Sequence, residues 1–249
     1  DTDNKLYQYG NLYGAGFGEG AVTLKTDVKI YGGTIRNSLY GGGEGAAVGF
    51  AKELPSGTTT YTTADVVKSG FAKVTMYEGN VGGSVFGGGR GYSYTVENGV
   101  AIGDVYYSDG YTFGQTEVNI HGGIIGTDES LALGEGNVFG GGNIGYVYSG
   151  SGTKETADGY YYNSGNLTED CKVVVSPYCK VTGTAVIIDG FGTYQPGEYV
   201  PTEALNTIQD ISDSRWNQLD LTGIIIRNAV FAGGNVTQGS DIMYVEATT

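Results

Sequence analysis

Positive charge is scarce in this sequence: 13 lysines and arginines stand against 27 aspartates and glutamates, a formal charge of −14 at neutral pH. Such an acidic excess repels phosphate backbones and anionic lipid headgroups, so no nucleic-acid partner is expected and acidic membrane surfaces are poor candidates. Histidine occurs once, as His121, so a zinc site of the HExxH type has no second imidazole, and no GxSxG nucleophile motif is present. With 4 prolines and no strict Gly-X-Y period, a collagen triple helix is excluded as well. No stretch of 18 apolar residues exists, so direct membrane insertion is not expected. The opening Asp1-Thr2-Asp3-Asn4 has neither the basic nor the apolar region of a signal peptide, and we expect a processed fragment of a larger exported protein.

Cysteine is nearly absent too. Cys171 and Cys179 flank Lys172-Val173-Val174-Val175-Ser176-Pro177-Tyr178, and two readings stay open: a disulfide pinning a short loop, or two buried free thiols. A metal site would need further thiol or imidazole ligands, and none lies nearby in the sequence.

What the chain has in abundance is glycine, 46 residues, and tyrosine, 21 residues. The glycines fall into a repeated word in which an aromatic residue precedes a glycine cluster. It reads Leu12-Tyr13-Gly14-Ala15-Gly16, Leu39-Tyr40-Gly41-Gly42-Gly43, Val85-Phe86-Gly87-Gly88-Gly89 and Val138-Phe139-Gly140-Gly141-Gly142, with a degenerate fifth copy at Val230-Phe231-Ala232-Gly233-Gly234. Short alternating runs accompany the words: Val28-Lys29-Ile30, Val74-Thr75-Met76, Val118-Asn119-Ile120 and Ile224-Ile225-Ile226. Alternation of this kind marks strands with one buried face, with Asp27, Lys73 and Glu117 on the outer one.

Repetition of strand, glycine turn and aromatic predicts an all-β fold: a parallel β-helix, or solenoid, with the aromatics as a core column. Residues 1–249 are expected to form one elongated domain. The aromatic intervals of 27, 46, 53 and 92 residues from Tyr13 through Phe231 are uneven, so insertions must lie between the words. These insertions are rich in tyrosine and are expected as irregular hairpins, with Glu97-Asn98-Gly99-Val100 as one tight turn. At most one short helix is expected, near 202–211, where Thr202 would cap a turn carrying Leu205, Ile208 and Ile211.

No catalytic residue and no metal ligand emerges from this reading. His121 is expected to be structural or on the surface. The glycine clusters lack the GK[ST] of a phosphate loop, and Gly16-Phe17-Gly18-Glu19-Gly20-Ala21 puts an acid where phosphate would sit. Carboxylates occur in local groups, Asp104 with Asp109, Asp128 and Glu129 with Glu135, and Asp210 with Asp213, which are right in type for calcium or acid/base work but follow no calcium-loop spacing. Arg36, Arg90, Arg215 and Arg227 are too scattered for an anionic-sugar subsite, and Asn166-Leu167-Thr168 and Asn235-Val236-Thr237 match the glycosylation sequon. In repeat proteins the insertions between repeats often gather on one face that binds. The candidate ligand-binding residues are therefore Tyr92, Tyr94, Tyr106, Tyr107, Tyr146, Tyr148, Tyr160, Tyr161 and Tyr162.

The words V-x-I-x-G-G-x-[IV] and V-[FY]-G-G-G-[NE]-x-G, at Val28 to Ile35 with Leu39 to Gly45 and at Val118 to Ile125 with Val138 to Gly145, resemble the glycine-rich repeat regions of large secreted bacterial surface proteins of the adhesin-like kind. That resemblance implies a right-handed parallel β-helical stalk or passenger on a cell surface and no catalytic residues. The expectation is a structural or adhesive module, extracellular or at the cell surface, that binds a glycan or a host or neighbour-cell protein or self-associates, with no cofactor. Two alternatives accompany it: a calcium-assisted polysaccharide-active β-helix enzyme, and a self-assembling extracellular filament subunit.

Overall fold

The structure, a computed structural model, describes residues 10–18, 21–49, 60–61, 70–91, 95–97, 100–102, 110–143, 145, 147–148, 152–153 and 171–235. Each apolar-aromatic pair of the repeated word is a short strand, and the five strands form one parallel sheet in the order Leu12–Tyr13, Leu39–Tyr40, Val85–Phe86, Val138–Phe139, Val230–Phe231. Their register is strict: Tyr13 lies beside Tyr40, Tyr40 beside Phe86, Phe86 beside Phe139 and Phe139 beside Phe231. In-register pairing stacks the rings into a column with centroids 4.8, 4.8, 4.9 and 5.0 Å apart. The spacing is the distance between neighbouring strands, so backbone pairing dictates the ring contact.

The residue ahead of each pair extends the same logic with a side-chain ladder. Asn11 Oδ1 accepts from the Ser38 amide, Ser38 Oγ from Ser84, Ser84 Oγ from Asn137, and Asn137 Oδ1 from Ala229, over 3.0–3.2 Å. Ser38, Ser84 and Asn137 are buried, and this ladder uses the hydrogen-bonding capacity that burial would otherwise waste.

Glycine after the aromatic is a steric requirement. A methyl on Gly14, Gly41, Gly87 or Gly140 would come under 3.0 Å from the carbonyl oxygen of the next strand: Gly41, Gly87, Gly140 and Ala232 respectively. The amides run the same way, Gly14 donating to Tyr40, Gly41 to Phe86, Gly87 to Phe139 and Gly140 to Phe231, over 2.8–2.9 Å.

Opposite lies a nine-stranded sheet whose pairings are all parallel, dominated by Lys25–Ile35, Gly70–Val81, Thr112–Ile120 and Cys171–Val175. Inward Val74, Met76, Val118 and Ile120 pack on Leu39, Val85 and Val138 of the first sheet to make the main core. The intervening residues face outward.

The solenoid expectation is corrected by what surrounds these sheets. The chain is mostly strand with few helices, but its parallel sheets of five and nine strands are mixed with antiparallel ones, and no single solenoid runs through it. Cys179–Val181 pairs antiparallel with both Tyr199–Val200 and Leu219–Leu221, and Val186–Ile188 pairs antiparallel with Gly192–Tyr194. These strands enclose a second core of Val181, Val186, Ile188, Val200, Leu205 and Ile208, with Trp216 packed against it. The repeated word governs only the stretches that contain it, and the segment between Val175 and Gly223 buries its own apolar residues by hairpin pairing. Thr95–Glu97 and Val100–Ile102 also pair antiparallel, with Glu97 opposite Val100, while the turn residues Asn98 and Gly99 lie outside the described residues.

Helices depart from expectation as well. The helix at Thr202–Leu205 exists, but Pro201 holds the cap position, and the Thr202 hydroxyl donates instead to the Pro177 carbonyl at 2.8 Å. Ile208 is buried whereas Ile211 is 94% exposed, so the apolar spacing does not continue as a helix face. A further helix, Asp128–Ala132, begins at a capping box in which Thr127 and Ser130 exchange side-chain and backbone hydrogen bonds, and Ser214–Gln218 forms a 3₁₀ turn. Neither cysteine is joined in a disulfide: Cys171 sits beside Thr116 in the parallel sheet, and Cys179 lies in the antiparallel one. Among the described residues no helix is long and apolar enough to cross a membrane.

Gly87→Ala is expected to lower unfolding free energy by about 3 kcal/mol or more, because the stacked strand must shift to admit the methyl. Gly233→Ala, with no atom near the added carbon, should change it by less than about 0.5 kcal/mol. Denaturant titration of both variants checks the pair of values.

Candidate functional site

The outward face of the long parallel strands carries the site. Register places Asp27, Lys73, Glu117 and Lys172 side by side across four strands, an alternation of negative and positive charge. The next outward row is Lys29, Thr75, Asn119 and Val174. Lys73 Nζ meets Glu117 Oε1 at 2.8 Å, and Asn119 Nδ2 donates to the same oxygen at 2.6 Å. Burial acts to raise the Glu117 carboxyl, but these two donors outweigh it and hold the group below its ordinary pKa.

Beyond these rows the strands leave the flat face and aromatic rings take over. Tyr77 stacks on Tyr31 at 5.0 Å and on Tyr199 at 4.6 Å, and His121 stacks on Tyr178 at 3.7 Å with Tyr77 5.4 Å away. Tyr178 and Tyr199 come from the segment with its own core, so the aromatic wall spans both cores. Lys180 Nζ reaches Glu78 at 3.0 Å and lies 5.4 Å from the Tyr199 ring centre, fastening the join. Thr222 completes it: its hydroxyl lies within donating reach of both the His121 and the Tyr178 carbonyls and accepts from the Tyr178 amide.

His121 is 5% exposed, and its Nδ1 lies 2.8 Å from the Ser176 carbonyl oxygen. A carbonyl only accepts, so Nδ1 carries the proton and Nε2 is the acceptor. Burial depresses the imidazole pKa despite that hydrogen bond, and the ring is neutral at neutral pH.

The two outward rows, with Tyr77, His121 and Tyr178, line an open groove of about 410 Å³. Its charged lining is Asp27, Glu117 and Glu203 against Lys29, Lys73 and Lys172, which cancel. The rest includes Tyr77, Tyr178, His121, Asn119 and Thr75. Thr75 is 3% exposed, and among the described residues its buried hydroxyl has no hydrogen-bond partner.

The tyrosines singled out in the sequence are not the ones gathered here. Tyr92, Tyr94, Tyr106, Tyr107, Tyr146, Tyr160, Tyr161 and Tyr162 lie outside the described residues, and of Tyr148 only the backbone is described, paired with Phe113. The acidic groups do not converge. Asp128 pairs with Arg227 at 2.7 Å, Glu129 sits in the first turn of its helix, and burial raises the Glu135 carboxyl. Asp213, hydrogen-bonded by Arg215, is lowered to about 2, Asp210 is held by Ser212, and Asp104 and Asp109 lie outside the described residues. Among the described residues no group of three or more histidine, cysteine or acidic side chains is placed to hold a metal ion. Tyr31, Tyr77, Tyr178 and Tyr199 were missed because each belongs to a strand or turn separate in sequence. Aligning Asp27-Val28-Lys29-Ile30, Lys73-Val74-Thr75-Met76 and Glu117-Val118-Asn119-Ile120 would have brought the first rows together.

No protein-family profile, curated protein or solved structure matches this chain.

His121 supplies a pH test. Its folded-state pKa is depressed, so as pH falls below the ordinary imidazole value of about 6.5 the unfolded chain takes up the proton first and folding is weakened. Stability is expected to decline between about pH 7.5 and about pH 5.5, above the range in which Glu117 titrates. Because the chain has 1 histidine, His121→Gln should flatten that decline, as denaturant midpoints at the two pH values would reveal.

Proposed function

We propose that the chain is a binding module, the adhesive part of an exported surface protein, and that it holds a neutral, hydroxyl-rich ligand of the glycan class in this groove. The observation that carries the reading is an aromatic wall standing over polar rows whose charges cancel: Tyr77, Tyr178 and His121 beside Asp27, Lys29, Lys73, Glu117, Lys172 and Glu203. Sugar rings present apolar faces to aromatic planes and hydroxyls at their rims, and both halves of that demand have partners here. Asn119 supplies amide hydrogen bonding, and Nε2 of His121 accepts. A strongly acidic or basic ligand would leave one set of the paired charges opposed. The chain's overall charge of −14 points the same way, because it repels an anionic ligand at long range. The extracellular or cell-surface location belongs to this proposal, and no catalytic step or cofactor is assigned.

Binding to an array of neutral and acidic glycans, followed by titration calorimetry on the best neutral ligand, tests the reading. Tyr77→Ala and Tyr178→Ala are each expected to weaken affinity about 10-fold or more, with little dependence on salt. An array with no neutral glycan bound, or variants that bind as tightly as the parent, would sink the proposal.

A further inference from the structure

The fifth copy of the repeated word departs from the others at two positions, and both lie where a sixth strand would be received. In the first four copies the residue after the aromatic is Gly14, Gly41, Gly87 or Gly140; in the fifth it is Ala232. A methyl at each of those glycines would point at the carbonyl oxygen of the following strand, in every case toward the C-terminal neighbour. By the same geometry the Ala232 methyl occupies the place that the carbonyl of a further strand would need. The second departure is Ala229. The residues before it in the ladder, Asn11, Ser38, Ser84 and Asn137, each accept an amide from the next strand. Ala229 donates its amide to Asn137 but carries no side-chain acceptor to offer onward.

The strand Val230–Phe231 otherwise looks ready to be extended. Phe231 continues the ring column at 5.0 Å from Phe139 and is 45% exposed. The repeating pattern, in which Leu12 donates to Ser38, Leu39 to Ser84, Val85 to Asn137 and Val138 to Ala229, aims the Val230 amide outward. At the opposite edge Leu12–Tyr13 presents the matching word, so a second copy could dock head to tail in register if the steric path were open.

We propose that Ala232, helped by Ala229, closes the five-stranded sheet against a second copy of this chain. Strand addition in register at Val230–Phe231 is refused by a single methyl group, and the column of rings ends there without growing into a filament. The inference rests on the sheet alone and is independent of what the groove binds.

The test restores the word: Ala232→Gly and the double variant Ala229→Ser with Ala232→Gly, compared with the parent chain by sedimentation velocity from micromolar to millimolar concentration. The parent is expected to show no assembly that rises with concentration, whereas the double variant reaches about twice the monomer mass or more. A synthetic peptide Ser-Val-Phe-Gly-Gly-Gly should bind the double variant and not the parent. The proposal is overturned if parent and double variant sediment alike, whether both stay dispersed or both associate, or if the peptide binds the parent equally.

Discussion

Everything in this structure depends on how closely one backbone strand lies upon the next at the repeated glycines. An amide from one strand reaches the carbonyl of its neighbour over 2.8–2.9 Å. At that point there is no room for even one carbon more. This contact fixes register, and register does the rest: it aligns rings with rings, hydroxyls with amides, and valines with valines across the core. A slip by one residue would turn each buried column toward solvent. Specificity here comes from exclusion as much as attraction.

The same registration generates the groove without any loop devoted to it. Outward residues of the long strands alternate with the core residues, so a sheet locked by its inner face necessarily orders its outer one. The cross-strand charges are held by neighbours rather than by long-range fields, and the Lys73–Glu117 pair, partly exposed, adds only roughly 0.2–1 kcal/mol to stability. Their larger effect is geometric, since they hold Glu117 ionised and Asn119 oriented.

How far the sequence announced this depended on whether a feature was local or assembled. The strand runs and the aromatic column of Tyr40, Phe86 and Phe139 were legible because each copy of the word carries its own apolar residue and glycine in fixed order. The solenoid was an overextension: the hairpins around Cys179 and Val186 bear no copy of the word, and β-branched residues there suit antiparallel pairing equally well. The helix at Asp128 was hidden in plain view, since Thr127 and Ser130 spell a cap while Asp128 and Glu129 draw the eye as an acidic pair. The groove was out of reach for a different reason. Its aromatic lining, Tyr77, His121 and Tyr178, converges only after three separate segments are placed, and no spacing along the chain encodes that meeting.

One hydroxyl at the join between the two cores carries a consequence of its own. Thr222 faces the carbonyls of His121 and Tyr178, which come from the two packed segments, and its oxygen already accepts from the Tyr178 amide. It owns a single proton for two carbonyl acceptors, so that donor is shared between the two segments. Removing that hydroxyl would take a partner from one amide and two carbonyls at a stroke, so the seam between the cores has a single point of failure.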